Sequence, residues 1–279
     1  MSYNSYKLKQ FYILLLLVYL PHLEAQNPVN DNGIRSLGLG GAGLNDLHSA
    51  SLWQNPALLS NAKGWQFSTE YFRPIYLVSV GLGSATIVKG NGKRGFALGF
   101  SRLGVSSMTD QTISAAYALK LNDRIKLGVR LDWNQLYALS GMASSHYFTG
   151  GVGVHYKLNE KLQLGAFVFN PNRSPFQLED AVYRSISSWE IGLKHLISDR
   201  INWYLEAAQE QGFSEIDWQS GLEYMPLEGF QLQFGYRSIA SKYSVGFSFK
   251  KQNWKTSLAS AWHPDLGFGG GIGLEYALD

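Results

Sequence analysis

The chain has 279 residues, of which 45% are hydrophobic, 14% aromatic and 16% charged, and it contains 30 glycines and no cysteine. Soluble domains carry about 25% charged residues, so this composition argues against an ordinary cytosolic surface, while the many aromatic residues argue against disorder. The lack of cysteine excludes disulfides, thiolate metal sites and cysteine nucleophiles, and a formal net charge of +3 without a basic stripe argues against nucleic-acid binding.

The N-terminus has the order of features of a secretory signal peptide. Lys7 and Lys9 precede the apolar stretch 11–20, and Ala25 offers a small residue before Gln26. An apolar stretch this short spans a bilayer poorly, which favours a cleaved signal over the alternative of a short membrane anchor. We therefore predict a signal peptide over residues 1–25, cleaved after Ala25. Because no later stretch approaches ~20 consecutive apolar residues, any membrane crossing beyond it must use β-strands.

A glycine-rich segment follows the predicted signal peptide. Residues 38–43 read GLGGAG and fit the dinucleotide-binding pattern G-x-G-x-x-G, but no apolar strand precedes them and no βαβ unit follows. We therefore expect these glycines to allow close packing against other backbone rather than to bind a cofactor. We predict a separate N-terminal segment over residues 26–63, which contains the sequence WQNPALL at residues 53–59.

From residue 64 to residue 279, apolar residues alternate with small or polar ones in segments of about ten residues, which predicts β-strands. In one segment Phe230, Leu232 and Phe234 share one face, and Gln231 and Gln233 share the other. The predicted segments are 65–72, 77–88, 95–102, 110–120, 124–136, 147–158, 161–169, 186–196, 201–209, 214–224, 229–238, 242–250, 253–262 and 270–278.

The alternation fits either a secreted all-β domain, which hides its apolar face, or an outer-membrane barrel, which turns that face to lipid. The segments match the ~9–11 residues that cross a bilayer at a tilt, and aromatic residues such as Trp65, Trp133 and Trp262 lie near their ends. Tight turns such as 121–123 alternate with longer loops such as 170–185. We predict an all-β fold, a transmembrane antiparallel β-barrel of about fourteen strands over residues 64–279, with a short N-terminal helical plug segment.

Seven residues of the N-terminal segment carry a family motif, namely Arg35, Gly40, Gly41, Trp53, Asn55, Pro56 and Ala57. With its surroundings at 32–43 and 49–59, this plug motif resembles the signature of the FadL-like superfamily of outer-membrane proteins, and most closely that of the PorV/PorQ-type proteins associated with type IX secretion. The resemblance implies a fourteen-stranded barrel with the N-terminal segment in its lumen. It also implies that Asn55 and Pro56 end the plug helix, since proline disfavours α geometry in the preceding residue. The chain departs from the family in ending on Asp279 rather than on an aromatic residue.

The sequence lacks the catalytic constellations that barrel lipases, acyltransferases or proteases need. A serine hydrolase site on one strand would place a His two residues before its Ser, and no histidine of the mature chain has that neighbour: His48, His146, His155, His195, His263. The pattern G-x-S-x-G is absent, and no cluster of His, Asp or Glu has metal-ligand spacing. We therefore expect no enzyme activity, no catalytic residue, no cofactor and no metal site.

Charged residues of both signs occupy positions that the alternation turns toward the lumen. Because an isolated charge is costly there, we expect them to form a hydrogen-bonded network with the plug. The residues predicted to form this lumen polar network are Glu70, Lys126, Arg130, Asp132, Glu190, Lys194, Glu223 and Arg237. Such an interior suits a sealed or water-lined barrel better than a conduit for fatty acids.

Short outer loops and an aromatic outer wall suit a component that binds a partner. Because the resemblance to PorV/PorQ-type proteins implies type IX secretion, we expect a non-enzymatic protein that acts with that secretion system and presents its rim or wall to a translocon or a cargo domain. We expect the protein in the bacterial outer membrane, surrounded by lipid and without nucleic acid; the sequence leaves its oligomeric state open. One alternative is FadL-like transport of hydrophobic small molecules across the outer membrane. A purely structural role is a further alternative.

Overall fold

The computed structural model describes residues 33–48, 51–73, 80–105, 108–138, 143–178, 180–239 and 241–278. The predicted signal peptide, residues 1–25, lies outside these described residues. Within the described ranges, no helix has both the length and the apolar character needed to cross a membrane.

The described part of the chain forms sixteen strands, fourteen of which close into a barrel. The strands are β1 (Lys63–Arg73), β2 (Gly81–Asn91), β3 (Arg94–Val105), β4 (Met108–Lys120), β5 (Ile125–Ala138), β6 (Ala143–Lys157), β7 (Leu162–Phe169), β8 (Pro175–Leu178), β9 (Ala181–Arg184), β10 (Ser188–Ser198), β11 (Ile201–Glu210), β12 (Asp217–Leu227), β13 (Phe230–Arg237), β14 (Lys242–Lys251), β15 (Trp254–His263) and β16 (Gly267–Leu278).

Every barrel strand pairs antiparallel with its neighbour along the chain, and β7 pairs with β10. The barrel closes where β1 pairs with β16, from Trp65 opposite Leu278 to Arg73 opposite Gly270. Full closure leaves no edge of the barrel sheet unpaired. Backbone N–H and C=O groups need such pairing in a membrane, because no water is there to bond them. The predicted transmembrane antiparallel barrel of about fourteen strands is thereby confirmed.

The remaining two strands correct the prediction of a plain loop over residues 170–185. β8 and β9 form a separate hairpin there, in which Phe176 stacks between Tyr147 and Tyr183 at centroid distances of 4.8 and 5.5 Å. Each of these strands has only four residues, too few for a period-two pattern to stand out from its surroundings.

The alternation places apolar side chains on the outside of the barrel. On β3, Phe96, Leu98 and Phe100 are exposed, while Ala97 and Gly99 between them are buried. Successive residues of a strand point to opposite faces, so one sequence period produces both surfaces. A contiguous apolar exterior with a polar interior is the arrangement of a membrane barrel and the reverse of a soluble domain.

The two ends of the barrel differ in their connections. The turn end carries the six short connections at 92–93, 121–124, 158–161, 199–200, 228–229 and 252–253, and the loop end carries the others. Asparagine closes several of the short turns: the side-chain oxygen of Asn159 accepts hydrogen bonds from the backbone N–H groups of Lys161 and Leu162 at 2.8 and 2.9 Å. At the loop end, β3 and β4 stay paired as far as Val105 and Met108.

The described part of the N-terminal segment lies inside the barrel and follows its inner wall; we call residues 33–48 and 51–62 the plug segment. It contains α1 (Ile34–Gly38), α2 (Ser51–Gln54) and the 3₁₀ helix η1 (Pro56–Asn61). α1 contacts β1 and β13–β16, and η1 contacts β2–β6. Leu52, Trp53 and Leu59 are fully buried in an apolar cluster with wall residues of β2–β4, which anchors the second half of the plug segment.

Glycine in the wall allows this close approach. A Cβ on Gly128 of β5 would lie 2.7 Å from the Cα of Ala57, closer than side chains pack. On the other side of the barrel, a Cβ on Gly235 of β13 would lie 2.6 Å from the Cα of Gly40. The plug backbone therefore rests directly on the wall backbone at these positions.

Candidate functional site

Arg35 of α1 joins the plug segment to the wall through a buried cluster. Its Nε donates to Asp46 Oδ2 at 2.7 Å, and its Nη2 donates to Asp46 Oδ1 at 3.0 Å and to Glu223 Oε2 at 2.6 Å. Its Nη1 donates to the side chain of Gln231. The planar guanidinium thus connects α1, the stretch after α1, β12 and β13, which a single-point charge could not do.

Burial makes this cluster depend on complete pairing. Although burial disfavours its charge, the carboxylates of Asp46 and Glu223 hold the pKa of Arg35 above its ordinary value. Burial likewise opposes the charge of Asp46, but the neighbouring guanidinium of Arg35 holds the pKa of that carboxyl well below its usual range. Loss of Arg35 or of Asp46 would therefore leave uncompensated charge in the interior.

Arg130 of β5 forms a second buried cluster with the other half of the plug segment. Its Nε donates to Asp132 Oδ2 at 3.0 Å, and its Nη1 donates to the backbone carbonyl oxygens of Trp53 and Leu52. The guanidinium also lies 5.2 and 4.9 Å from the ring centroids of Phe167 and Phe169. Arg130 therefore donates hydrogen bonds to carbonyl oxygens of α2 that have no partner within so short a helix.

Asn55 holds the plug segment where α2 ends. Its side-chain Nδ2 donates to the carbonyl oxygens of Leu44 and Val154 at 3.1 and 3.2 Å, and its Oδ1 accepts from the N–H of Ala57 at 3.1 Å. Asn55 is extended, with φ of −146°, so the α-helix stops before it and η1 begins at Pro56. One side chain thus caps a helix, ties it to the preceding stretch and attaches both to β6.

A cavity of about 40 Å³ lies between the plug segment and the loop-end part of the wall. Its lining combines polar groups with the apolar side chains of Leu44, Ala208, Phe213 and Ile239. The remaining lining residues are Gly41, Gln54, Ser188, Glu190, Gln209, Glu210, Glu215, Asp217, Gln219 and Arg237. We call this space the outer cavity; most of its lining is polar, and the four apolar side chains form a smaller part of it.

Asp217 organises the polar side of the outer cavity. It accepts hydrogen bonds from Arg237 Nε at 2.5 Å, from Gln219 Nε2 at 3.1 Å and from the N–H of Ile239 at 3.3 Å. Gly41 and Leu44 of the plug segment form the floor of the outer cavity. The N–H of Leu44 donates to Glu206 Oε1 of β11 at 2.9 Å, which fixes this floor to the wall. A molecule in the cavity would therefore touch both the fixed wall and the plug.

The structure brings some of the predicted lumen residues together and separates others. Arg130 pairs with Asp132, Glu223 pairs with Arg35 of the plug motif, and Lys194 Nζ lies 5.0 Å from the ring centroid of Tyr204. Glu190 and Arg237 line the outer cavity. Glu70 and Lys126 are buried on the inner face but lie outside the Arg35 and Arg130 clusters.

Asp46 is the functional residue that the sequence argument missed. It lies in a stretch without regular structure, between glycines and α2, where no periodicity assigns a face to a side chain. Its neighbour His48 is also buried, and burial lowers the pKa of His48, whose Nε2 lies 3.1 Å from Gln54 Oε1. Within the ranges that the structure describes, no group of three or more His, Asp or Glu side chains is placed to hold a metal ion.

No family model and no curated protein matches the sequence. Solved structures do resemble the fold. The CymD monoaromatic hydrocarbon channel is 13% identical with a TM-score of 0.66, over 88% of this chain and 97% of that protein. The toluene transporter TodX of Pseudomonas putida is 12% identical with a TM-score of 0.63, over 86% and 95%. A FadL homologue of Pseudomonas aeruginosa is 11% identical with a TM-score of 0.63, over 88% and 98%. The chain therefore has the barrel fold of FadL-type outer-membrane channels.

Proposed function

We propose that the protein carries small hydrophobic molecules across the bacterial outer membrane, without acting as an enzyme. This was the alternative to the secretion role at the level of sequence. The outer cavity supports it most directly, because Leu44, Phe213 and Ile239 offer apolar contact at the loop end of the barrel. In outer-membrane barrels the longer loops face outward and the short turns face the periplasm, so the cavity would receive molecules from outside. The structural neighbours CymD and TodX carry monoaromatic hydrocarbons and toluene.

In this proposal the stretch between the two plug anchors controls passage. The Arg35 cluster fixes α1, and Arg130 with Asn55 fixes α2 and η1. Between these anchors, Leu44 closes the floor of the outer cavity and holds its position through the hydrogen bond to Glu206. A shift of residues 41–44 would open the floor, and it would break the hydrogen bonds that Leu44 makes with Asn55 and Glu206.

Uptake into intact cells tests the proposal, since the lipopolysaccharide leaflet blocks hydrophobic probes that cross simple bilayers. Cells that express the protein are expected to take up N-phenyl-1-naphthylamine faster than cells without it. Phe213→Ala should slow this uptake by about tenfold, as loss of about 1.4 kcal/mol of binding predicts. Phe100→Ala on the exposed outer wall is the matched control and should leave uptake unchanged. Equal uptake with and without the protein would refute the proposal.

A second candidate function is the PorV/PorQ-like role in type IX secretion, with a translocon or cargo domain as partner. The observation that favours it is the filled lumen, in which two buried arginine clusters hold the plug segment against the wall. A pull-down from native outer membranes distinguishes the two functions. Capture of secretion components together with unchanged probe uptake would favour this second candidate.

A further inference from the structure

A second groove lies on the outside of the barrel, at its turn end. It measures about 660 Å³ and is formed by the connection between β6 and β7 and by the outer faces of β7, β10 and β11. Its lining consists of Asn159, Glu160, Lys161, Leu162, Leu193, His195 and Trp203. This groove has no contact with the outer cavity, which lies in the lumen at the opposite end.

The alternation of the strands turns the apolar part of this groove toward the membrane. Trp203 alternates with Tyr204, which is fully buried in the lumen, and Leu193 alternates with Gly192, which faces Glu206. The indole Nε1 of Trp203 donates to Ser220 Oγ at 3.1 Å, which ties the ring to the neighbouring strand β12. Leu162, Leu193 and Trp203 therefore form a fixed apolar surface, and tryptophan is typical of the membrane interface.

Positive charge surrounds the end of the groove nearest the turns. The ammonium group of Lys161 lines it beside the imidazole of His195, which can donate a hydrogen bond, and Glu160 of the same turn is already paired with Lys157 Nζ at 2.6 Å. The two neighbouring turn-end connections, at 121–124 and 199–200, and the adjoining end of β4 add Lys120, Arg124 and Arg200, against Asp199 and against Asp123, which pairs with Lys120. The groove thus joins an apolar surface to a cationic rim at the depth of the lipid headgroups.

We propose that this groove binds one anionic phospholipid of the periplasmic leaflet. Its phosphate accepts hydrogen bonds from Lys161 and His195, and an acyl chain lies against Leu193 and Trp203. The inference rests on the membrane placement and orientation in the proposed function, but not on transport. It fits the observations better than a zwitterionic lipid, because the net charge of the surrounding turns is positive.

Fluorescence quenching by brominated lipids in reconstituted vesicles tests this site, with Trp203 as the reporter. The difference between the unmodified chain and the Trp203→Phe variant isolates the signal of Trp203 from that of the other seven tryptophans. Brominated phosphatidylglycerol should quench this signal about fivefold more effectively than brominated phosphatidylcholine at the same mole fraction. Added inorganic phosphate should not compete, since a free anion lacks the acyl chain.

Two variants separate the groove from the general charge of the turn end. Lys161→Gln with His195→Gln should bring the two lipids to equal quenching, whereas Lys251→Gln, on another exposed turn-end strand terminus, should keep the difference. If the double variant does not fold, Lys161→Gln alone is measured and should lower the ratio. Equal quenching in the unmodified chain, or an unchanged ratio in the double variant, would overturn the proposal. Probe uptake is not measured in this assay, so its outcome is independent of transport.

Discussion

Arg35 illustrates what a single side chain contributes and what the sequence could say about it. The family motif singled out Arg35, and the alternation turned Glu223 toward the lumen, but neither predicted that the two side chains meet at 2.6 Å. Periodicity assigns a residue to a face of a strand, not to a partner on a segment that is not a strand. For that reason Asp46, in irregular backbone, could not be predicted at all.

Substitution of Arg35 should release the first half of the plug segment. Arg35→Met leaves Asp46 and Glu223 buried without their partner, a loss of about 3–5 kcal/mol. Because the chain has no cysteine, Leu47→Cys places one nitroxide label on an exposed plug residue. Electron paramagnetic resonance should report higher mobility of this label in Arg35→Met, and an intermediate value in Arg35→Lys, which keeps the charge but not the planar fork. Lys251→Met is the control; unchanged mobility in Arg35→Met would contradict the anchoring role.

The plug should also stay attached in mild acid. Because folding lowers the pKa of Asp46, its ion pair stabilises the fold fully above the unfolded value of about 3.9 and is lost as the pH falls through the lower folded value. The label at position 47 should therefore keep the same mobility from about pH 8 to about pH 5. Asp46→Asn should raise that mobility over the whole interval. A release of the label near pH 6 in the unmodified chain would contradict this assignment.

At the scale of elements, period-two alternation was sufficient to find all fourteen barrel strands, because every one has a lumen face and an exposed face along most of its length. The same signal failed for β8 and β9, which have four residues each and lie outside the barrel wall. Strand ends were harder to predict: β6 begins at Ala143 rather than at residue 147. The predicted start of the second segment, residue 77, lies outside the described residues.

The contact between η1 and β5 yields a prediction with a matched control. Gly128→Ala would place a methyl group 2.7 Å from the Cα of Ala57, and overpacking of this kind costs about 1–3 kcal/mol. Gly83→Ala on β2 meets no atom within 4 Å and should leave stability nearly unchanged. Thermal unfolding in detergent, followed by circular dichroism, should therefore show a lower Tm for Gly128→Ala alone. Equal Tm values would mean that η1 does not press on the wall.

At the scale of the whole molecule, the composition set the apolar exterior and the charged interior, but it could not choose between transport and secretion. The outer cavity, on which the transport proposal rests, forms from β10–β13, two loops and the plug segment together. The size and position of such a cavity depend on how segments distant in sequence pack together. No local motif in the sequence encodes it.

Closure of the barrel predicts heat-modifiable behaviour. A cylinder in which every strand has both neighbours should resist dodecyl sulfate at room temperature and migrate as a compact species. Boiling should convert it to a slower, fully extended species on the gel. Arg35→Met should retain the unboiled compact form, because the wall pairing does not include the plug. Identical migration of boiled and unboiled samples would contradict a closed wall.

The pairing of β1 with β16 also constrains the order in which the protein assembles. It joins Trp65 to Leu278, so the last hydrogen bonds of the wall cannot form before the final strand has been delivered. The plug segment precedes β1 along the chain and lies within the finished cylinder. The plug segment could enter a closed barrel only if the barrel reopened. It must therefore already lie between the strands when β1 pairs with β16. Contacts of such long sequence separation make folding slow. An assembly factor that keeps β1 and β16 apart would give the plug segment time to pack against the inner wall.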